Sequence, residues 1–254
     1  ANILRCVEHA QGDFVWVLGD DDEPSPDAVM QALQEIDEYP DVDVFRFFDP
    51  TTNEKAPLKG QRLTSVDAYL KNSNSLGTLI FMSTLVLRVR EAKRYLHEAN
   101  FFQSCAAPML IVVLKMMDAG STALSSPKIL TPSTGHARTM ETNSLESCRI
   151  AVAFPMLLFV DWRPDVRNRL KVLMNGWWCL RIQIAALCGL LNRYSHGQVT
   201  EGELRSKISL IFTSSKLAEN PFSMRKLIRW AFGLLVLFPT IGSKLTRVIY
   251  KSKG

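Results

Sequence analysis

The chain has 254 residues, 47% hydrophobic and 22% charged, a globular composition that excludes disordered, collagen-like and disulfide-scaffold chains. The net charge of +5 is unevenly spread: residues 1–150 carry 14 Lys and Arg against 20 Asp and Glu (net −6), residues 151–254 carry 16 against 5 (net +11). Five cysteines without a CxxC pair, and four histidines without HExxH, argue against a disulfide framework and a cysteine zinc site, and free cysteines fit a reducing cytosol.

In chain order, Asn2 to Ala10 reads as a helix, with Ile3, Val7 and Ala10 on one face and Gly12 as its C′ residue. Phe14–Leu18 is a continuous apolar run suited to a buried parallel strand. Gly19-Asp20-Asp21-Asp22-Glu23 follows directly. Ser25 can cap a helix that has Pro26 at its first position and an apolar stripe of Val29, Leu33 and Ile36. Val42–Phe47 alternates as a strand, and residues 49–63 read as a loop or small hairpin. Thr64 or Ser65 caps a short helix through Leu70. Thr78–Met82 and Thr84–Val89 read as extended or short helical pieces, and Glu91–Glu98 as helix. Pro108–Ala119 is a strongly apolar helix ended by Gly120, and Pro127–Leu130 a strand. After about residue 145 Gly and Pro thin out. Residues 145–196 read as two or more helices, 201–217 as another, and Phe222–Lys251 as a last one broken near Pro239 and Gly242. No internal repeat is visible.

Three carboxylates at the carboxyl end of a buried strand are costly unless something positive binds there, and ligands of open α/β sheets sit at strand carboxyl ends. Adjacent carboxylates suit a hard cation, Mg²⁺ or Mn²⁺, which can in turn neutralise charge on a diphosphate leaving group. A solvated acidic turn before a capped helix is the plainer alternative. An EF-hand loop is excluded, since the sixth position from Asp20 is Ser25 and the twelfth Gln31. A DDxxD site is excluded by Pro24.

The pattern Asn2-x-x-Arg5…Ala10-x-Gly12-Asp13-Phe14-Val15-x-x-Leu18-x-x-Asp21-Asp22-x-x-x-Pro26 resembles the centre of family-two glycosyltransferases. The variant Leu18-Gly19-Asp20-Asp21-Asp22 is similar to bacterial members that build O-antigen or capsule sugars, abequosyltransferase-like enzymes among them. The resemblance implies an α/β fold, a partial GT-A (Rossmann-like) domain over residues 1–144, followed by an α-helical, basic region over 145–254. It implies Asp21 as main metal ligand, Asp20 touching the sugar nucleotide or the metal shell, and Asp22 near the donor sugar. The family opens with strands and an acidic turn that grip the nucleotide base. The resemblance therefore implies a chain lacking that N-terminal half. The family's general base is an acid at a helix start about eleven residues before a glycine. Counting back from Gly120 gives Pro108-Met109 and no acid, and Glu98, the nearest upstream acid, does not fit the spacing; the base stays unassigned. His136 and Arg138, in a Ser/Thr/Gly loop after Pro127–Leu130, are candidates for a further metal ligand and a phosphate partner, or ordinary loop residues.

Trp230 to Ser243 is uncharged for fourteen residues, between Arg225, Lys226, Arg229 and Lys244, Arg247, Lys251, Lys253. That is too short to span a bilayer and suits an interfacial helix or a buried one. Trp177-Trp178 suits sugar stacking, a lipid interface or core packing, and Cys105 a small buried residue. No nucleic-acid motif is present. The expectation is a metal-assisted, inverting hexosyltransferase. It uses a nucleotide-sugar donor and a lipid-linked saccharide acceptor in surface polysaccharide synthesis. Its expected place is peripheral, on the cytoplasmic face of a bacterial inner membrane. A non-catalytic membrane-associated scaffold of the same fold, and a nucleotidyl or phosphoryl transferase, are the alternatives.

Overall fold

The computed structural model describes residues 2–19, 22–50, 56–73, 79, 81–102, 107–132, 154–174, 186, 189–190, 193–194 and 196–216. Asp20, Asp21, Cys105, His136, Arg138, Trp177, Trp178 and the whole of 225–253 lie outside them. The chain divides into two compact units, residues 1–136 with 160–173, and 137–159 with 174–254. The architecture is mixed α/β, a five-stranded sheet with helices in the first unit and helical structure in the second.

Five strands, β1 (Phe14–Trp16), β2 (Val44–Arg46), β3 (Gln61–Leu63), β4 (Leu85–Arg88) and β5 (Ala123–Ser125), lie in the order β1-β4-β2-β5-β3. β1 and β2 each run antiparallel to β4, β2 is parallel to β5, and β3 is antiparallel to β5. β1, β2 and β5 therefore point the same way, and the segments after them meet at one edge of the sheet. So does the segment before β4, because β4 runs in the opposite direction.

Side chains alternate across the sheet. Phe45, Val86 and Leu124, directly opposed in register, are buried together with Ala28 and Ala32 of α2 (Ala28–Glu38). Phe14, Trp16, Ile36 and Tyr39 pack against this cluster. Val44, Leu87 and Ala123 on the opposite face are buried too, so the sheet is covered on both sides. The helix α6 (Pro108–Asp118) is the centre of the remaining packing: Leu110–Leu114 are all wholly buried. It meets α1 (Asn2–His9), α3 (Val66–Lys71), α4 (Val89–Lys93) and α5 (Leu96–Phe101). α6 stops where expected: Gly120 adopts φ +98°, its N–H bonds to the Met117 carbonyl, and the Ser121 N–H reaches back to Met116. That pair of bonds is a Schellman cap, and an L side chain at Gly120 would be strained.

Lys115 joins α6 to the returning segment. Its Nζ pairs with Glu98 at 3.0 Å, donates to the Asp161 carbonyl at 2.7 Å and lies 4.9 Å from the centre of the Trp162 ring. Arg163 pairs with Asp118 at 2.9 Å, and α7 (Pro164–Met174) follows. In the second unit a 3₁₀ turn (Phe154–Phe159) meets α8 (Glu201–Lys216). α8 opens on a capping box: the Glu203 carboxylate accepts from the Thr200 N–H at 2.9 Å and the Glu203 N–H donates to Thr200 Oγ1 at 3.3 Å. The first of these bonds holds the Glu203 carboxyl below its usual range.

Several expectations need correction. The first strand is Phe14–Trp16 and half-buried, not Phe14–Leu18 and buried. It pairs antiparallel with β4, and no strand among the described residues pairs with its other edge. Gly12 is not in the left-handed region. Ser25 does not cap α2, whose N-cap Asp27 makes no side-chain cap bond; Pro26 sits in the preceding turn. α2 is also rotated from the expected stripe. It buries Ala28, Ala32 and Glu35 and leaves Val29, Met30 and Leu33 exposed, because small side chains allow close approach to Phe45 and Phe47. The strand expected at Pro127–Leu130 lies earlier in the chain, at Ala123–Ser125, and ends before Pro127. Glu91–Glu98 is divided between α4 and α5. The Ser65 cap is as expected, its hydroxyl accepting from the Ala68 N–H at 3.1 Å.

Candidate functional site

The acidic segment leaves the carboxyl end of β1, and its neighbours follow from register. Phe14 pairs with Arg88 and Trp16 with Val86. Carried three residues further, the same register puts Gly19 opposite Ser83. The contact is made: the Gly19 N–H donates to Ser83 Oγ at 2.9 Å, and the Ser83 hydroxyl donates to Asp22 Oδ2 at 2.5 Å. The Trp16 indole N–H donates to the Ser83 carbonyl at 2.8 Å. Ser83 is wholly buried in the 3₁₀ turn Met82–Thr84, and the Asp22 N–H closes the loop by bonding to Gly19 O at 3.3 Å. One hydroxyl thus holds both ends of the segment that contains Asp20 and Asp21.

The other segments at this edge are tied to it through the backbone. The Ser25 N–H donates to Leu130 O at 2.8 Å, Phe48 N–H to Lys128 O at 2.9 Å, Phe47 N–H to Thr84 O at 2.8 Å and Ser126 N–H to Arg46 O at 2.8 Å. Buried polar side chains collect here: Arg46 at the end of β2 and Asp49 after it, Thr84 before β4, Ser125, Ser126 and Thr131 at and after β5. Such groups are costly to bury without partners. Behind them Tyr69 is fully buried, and burial pushes its hydroxyl up to about 12 against the opposing pull of the Arg46 guanidinium. Lys128 Nζ pairs with Glu35 of α2 at 3.2 Å, and fixes the same loop from the helix side.

Of the residues proposed from sequence, Asp22 is placed at the carboxyl edge of the sheet. Asp20, Asp21, His136 and Arg138 lie outside the described residues. Among the described residues no three His, Cys, Asp or Glu side chains gather as a metal-holding group. Asp22 is an oxygen donor of the kind a hard cation takes, with one carboxylate oxygen engaged by Ser83. Glu98 is committed to Lys115. Sequence reading missed Ser83, which falls between two pieces whose conformation the sequence did not separate. The signal that finds it is the antiparallel register of β1 and β4.

Residues 1–96 match the family model described as Glycosyl transferase family 2. The match contains α1, the first four strands and the acidic segment. It supports a glycosyltransferase domain, with the nucleotide-sugar donor and the acceptor that the family uses. No curated protein and no solved structure matches the chain.

Proposed function

We propose that the chain transfers a sugar from a nucleotide-sugar to a hydroxyl of a lipid-linked saccharide, with inversion at the anomeric carbon and with help from Mn²⁺ or Mg²⁺. The observation that carries this reading is the clamped acidic segment at the edge where β1, β2 and β5 end, within the span that matches the family model. Asp21 and Asp20 would hold the cation, with His136 as a further ligand, Asp22 near the donor sugar and Arg138 on the diphosphate. When bound, the cation supplies positive charge against the leaving diphosphate. The chain's own part is positional. Ser83 fixes the two ends of the segment, and the backbone ties to Leu130 and Lys128 hold the neighbouring loops around it. Inverting transfer also needs a base within hydrogen-bond reach of the acceptor hydroxyl; the Lys115 pair makes Glu98 a structural residue instead. Incubation of the full chain with labelled nucleotide-sugars, Mn²⁺ and bacterial lipid extract should yield labelled, lipid-soluble product. Absence of both transfer and donor hydrolysis across the common donors would sink the enzymatic reading in favour of a non-catalytic scaffold.

The acceptor's place implies a membrane surface, in this reading the cytoplasmic face of a bacterial inner membrane. The supporting feature is the basic back end: an uncharged stretch of fourteen residues flanked on both sides by Lys and Arg. Among the described residues no helix is long and apolar enough to cross a membrane. Each basic residue near an anionic surface adds about 1 kcal/mol of attraction, and apolar burial adds about 25 cal/mol per Å². Deleting Arg225–Gly254 should abolish flotation with anionic vesicles, and replacing Arg225, Lys226 and Arg229 by Gln should weaken it more on anionic than on neutral vesicles. Equal flotation of the intact and shortened chains would show that this segment is no anchor.

A further inference from the structure

We infer that the outward face of α4 and α5 rests on an anionic lipid surface, a membrane contact made by the first unit itself; the inference rests on the membrane reading above. Side chains divide along the two short helices as they would on one amphipathic helix. Val89, Ala92, Leu96 and Ala99 are buried, at the spacing of a single helical face. Arg90, Lys93, Arg94, His97, Asn100 and Phe101 are exposed. The junction of α4 and α5 does not interrupt this division. The Arg94 N–H bonds to Glu91 O at 3.3 Å and the Tyr95 N–H to Ala92 O at 3.2 Å, which carries the helical sense across.

The sign of this face and its aromatic end select the occupant. Residues 1–150 are net −6, yet Arg90, Lys93 and Arg94 gather here. The Arg90 and Arg94 side chains are 84% and 62% exposed, while Glu91, which pairs with both at 2.9 and 2.8 Å, is only 16% exposed. The carboxylate lies beneath two guanidinium groups, and cations form the outer layer. Lys93 Nζ donates to the Ala10 carbonyl at 2.8 Å, which fixes its position and leaves its charge. Glu98, the other acid of these helices, is turned to Lys115. At the end of the face Phe101 is 78% exposed, its ring edge-on to Phe102 with centroids 5.1 Å apart. Cations beside an exposed phenyl ring suit the headgroup boundary, where Lys and Arg meet anionic lipid and the ring enters the apolar edge. The larger exposed apolar stripe of this unit, Val29, Met30 and Leu33, has the wrong surroundings for that surface. Glu23, Asp27, Asp37 and Glu38 are exposed around it, and α2 contains no Lys or Arg, so anionic lipid repels it.

The test is flotation of the full chain with two kinds of vesicle, pure phosphatidylcholine and an equal mixture of phosphatidylcholine and phosphatidylglycerol. Arg90→Gln, Lys93→Gln and Arg94→Gln combined should weaken binding to the mixed vesicles by about a hundredfold, roughly fivefold per charge, and binding to phosphatidylcholine far less. Phe101→Ser should weaken binding to both by about tenfold. Arg90→Lys with Arg94→Lys keeps the charges and should bind as the parent does. The triple change leaves Glu91 without its partners; if that chain does not fold, Lys93→Gln with Phe101→Ser touches neither pair and carries the test. Amide exchange at Leu96–Phe102 should slow when the mixed vesicles are added. Flotation of the Gln and Ser variants equal to that of the parent, or a loss from the Gln changes that is the same on both vesicles, overturns this face as a lipid contact and leaves an anchor at Arg225–Lys253 standing. A parent chain that floats with neither vesicle overturns both.

Discussion

Asp21→Ala in the full chain should reduce sugar transfer by about three orders of magnitude and leave the fold unchanged. The size follows from the charge it removes. Cation stabilisation of a departing diphosphate is worth several kcal/mol, and about 4 kcal/mol in the barrier is a thousandfold in rate. Asp21→Asn should behave almost alike, because a carboxamide keeps the shape of the side chain but not the charge a hard cation selects. The fold should tolerate both. The buried cluster under α2 is built from Phe45, Val86, Leu124 and their neighbours, and the helical side from α6. A thermal midpoint within about 3 °C of the parent is the expected control. Full activity of Asp21→Ala, or of the parent chain in excess chelator, would remove the metal from the reaction.

Much of the framework was legible because it is written in local signals. Pro108 and Gly120 bracket an apolar run too long for a strand, and α6 forms between them with the cap that a glycine at that position allows. Ser65 three residues before Ala68 is a capping signal, and it caps. Thr200 and Glu203 form a box of the same kind. The errors come from choices that only tertiary packing makes. Val29 and Leu33 were expected on the buried face as surely as Ala28, Ala32 and Glu35 could be, yet the sheet took the second set, with Ile36 packed at its margin. Phe45 and Phe47 fill the space that larger helix side chains would need, and Glu35 found Lys128. Strand partners were equally out of reach. The apolar run at Phe14–Leu18 suggests burial between parallel strands, whereas its neighbour is β4, antiparallel and seventy residues away. The site was half legible for the same reason. The candidate carboxylates are adjacent in sequence and declare themselves; Ser83 reaches Asp22 only through long-range register.

Lys128→Met should destabilise the first unit by about 2 kcal/mol, and the cause is Glu35 rather than the lysine. The Glu35 side chain is 6% exposed and that of Lys128 29%. Removing the lysine leaves a carboxylate enclosed by α2 and the sheet with no cation beside it. Breaking a fully buried pair costs about 3–5 kcal/mol, and the partial exposure of Lys128 puts this case lower. Replacing both, Lys128→Met with Glu35→Leu, should recover most of the loss, because a paired apolar substitution leaves no charge uncompensated. Urea unfolding followed by hydrogen exchange in β2 and β5 reads this out. The change should be confined to the first unit, and a coupling near zero between the two substitutions would refute the account. The consequence reaches the site through the backbone. Lys128 O accepts from Phe48 N–H, and Leu130 O two residues on accepts from Ser25 N–H. These bonds hold the loop after β5 against the chain that emerges from the acidic segment. The single Lys128→Met variant should therefore show faster exchange at the Ser25 and Phe48 amides, and the double variant should restore their protection. The pair between a helix and a loop thus helps to hold the segments that follow β2 and β5 beside Ser25 and the chain after β1.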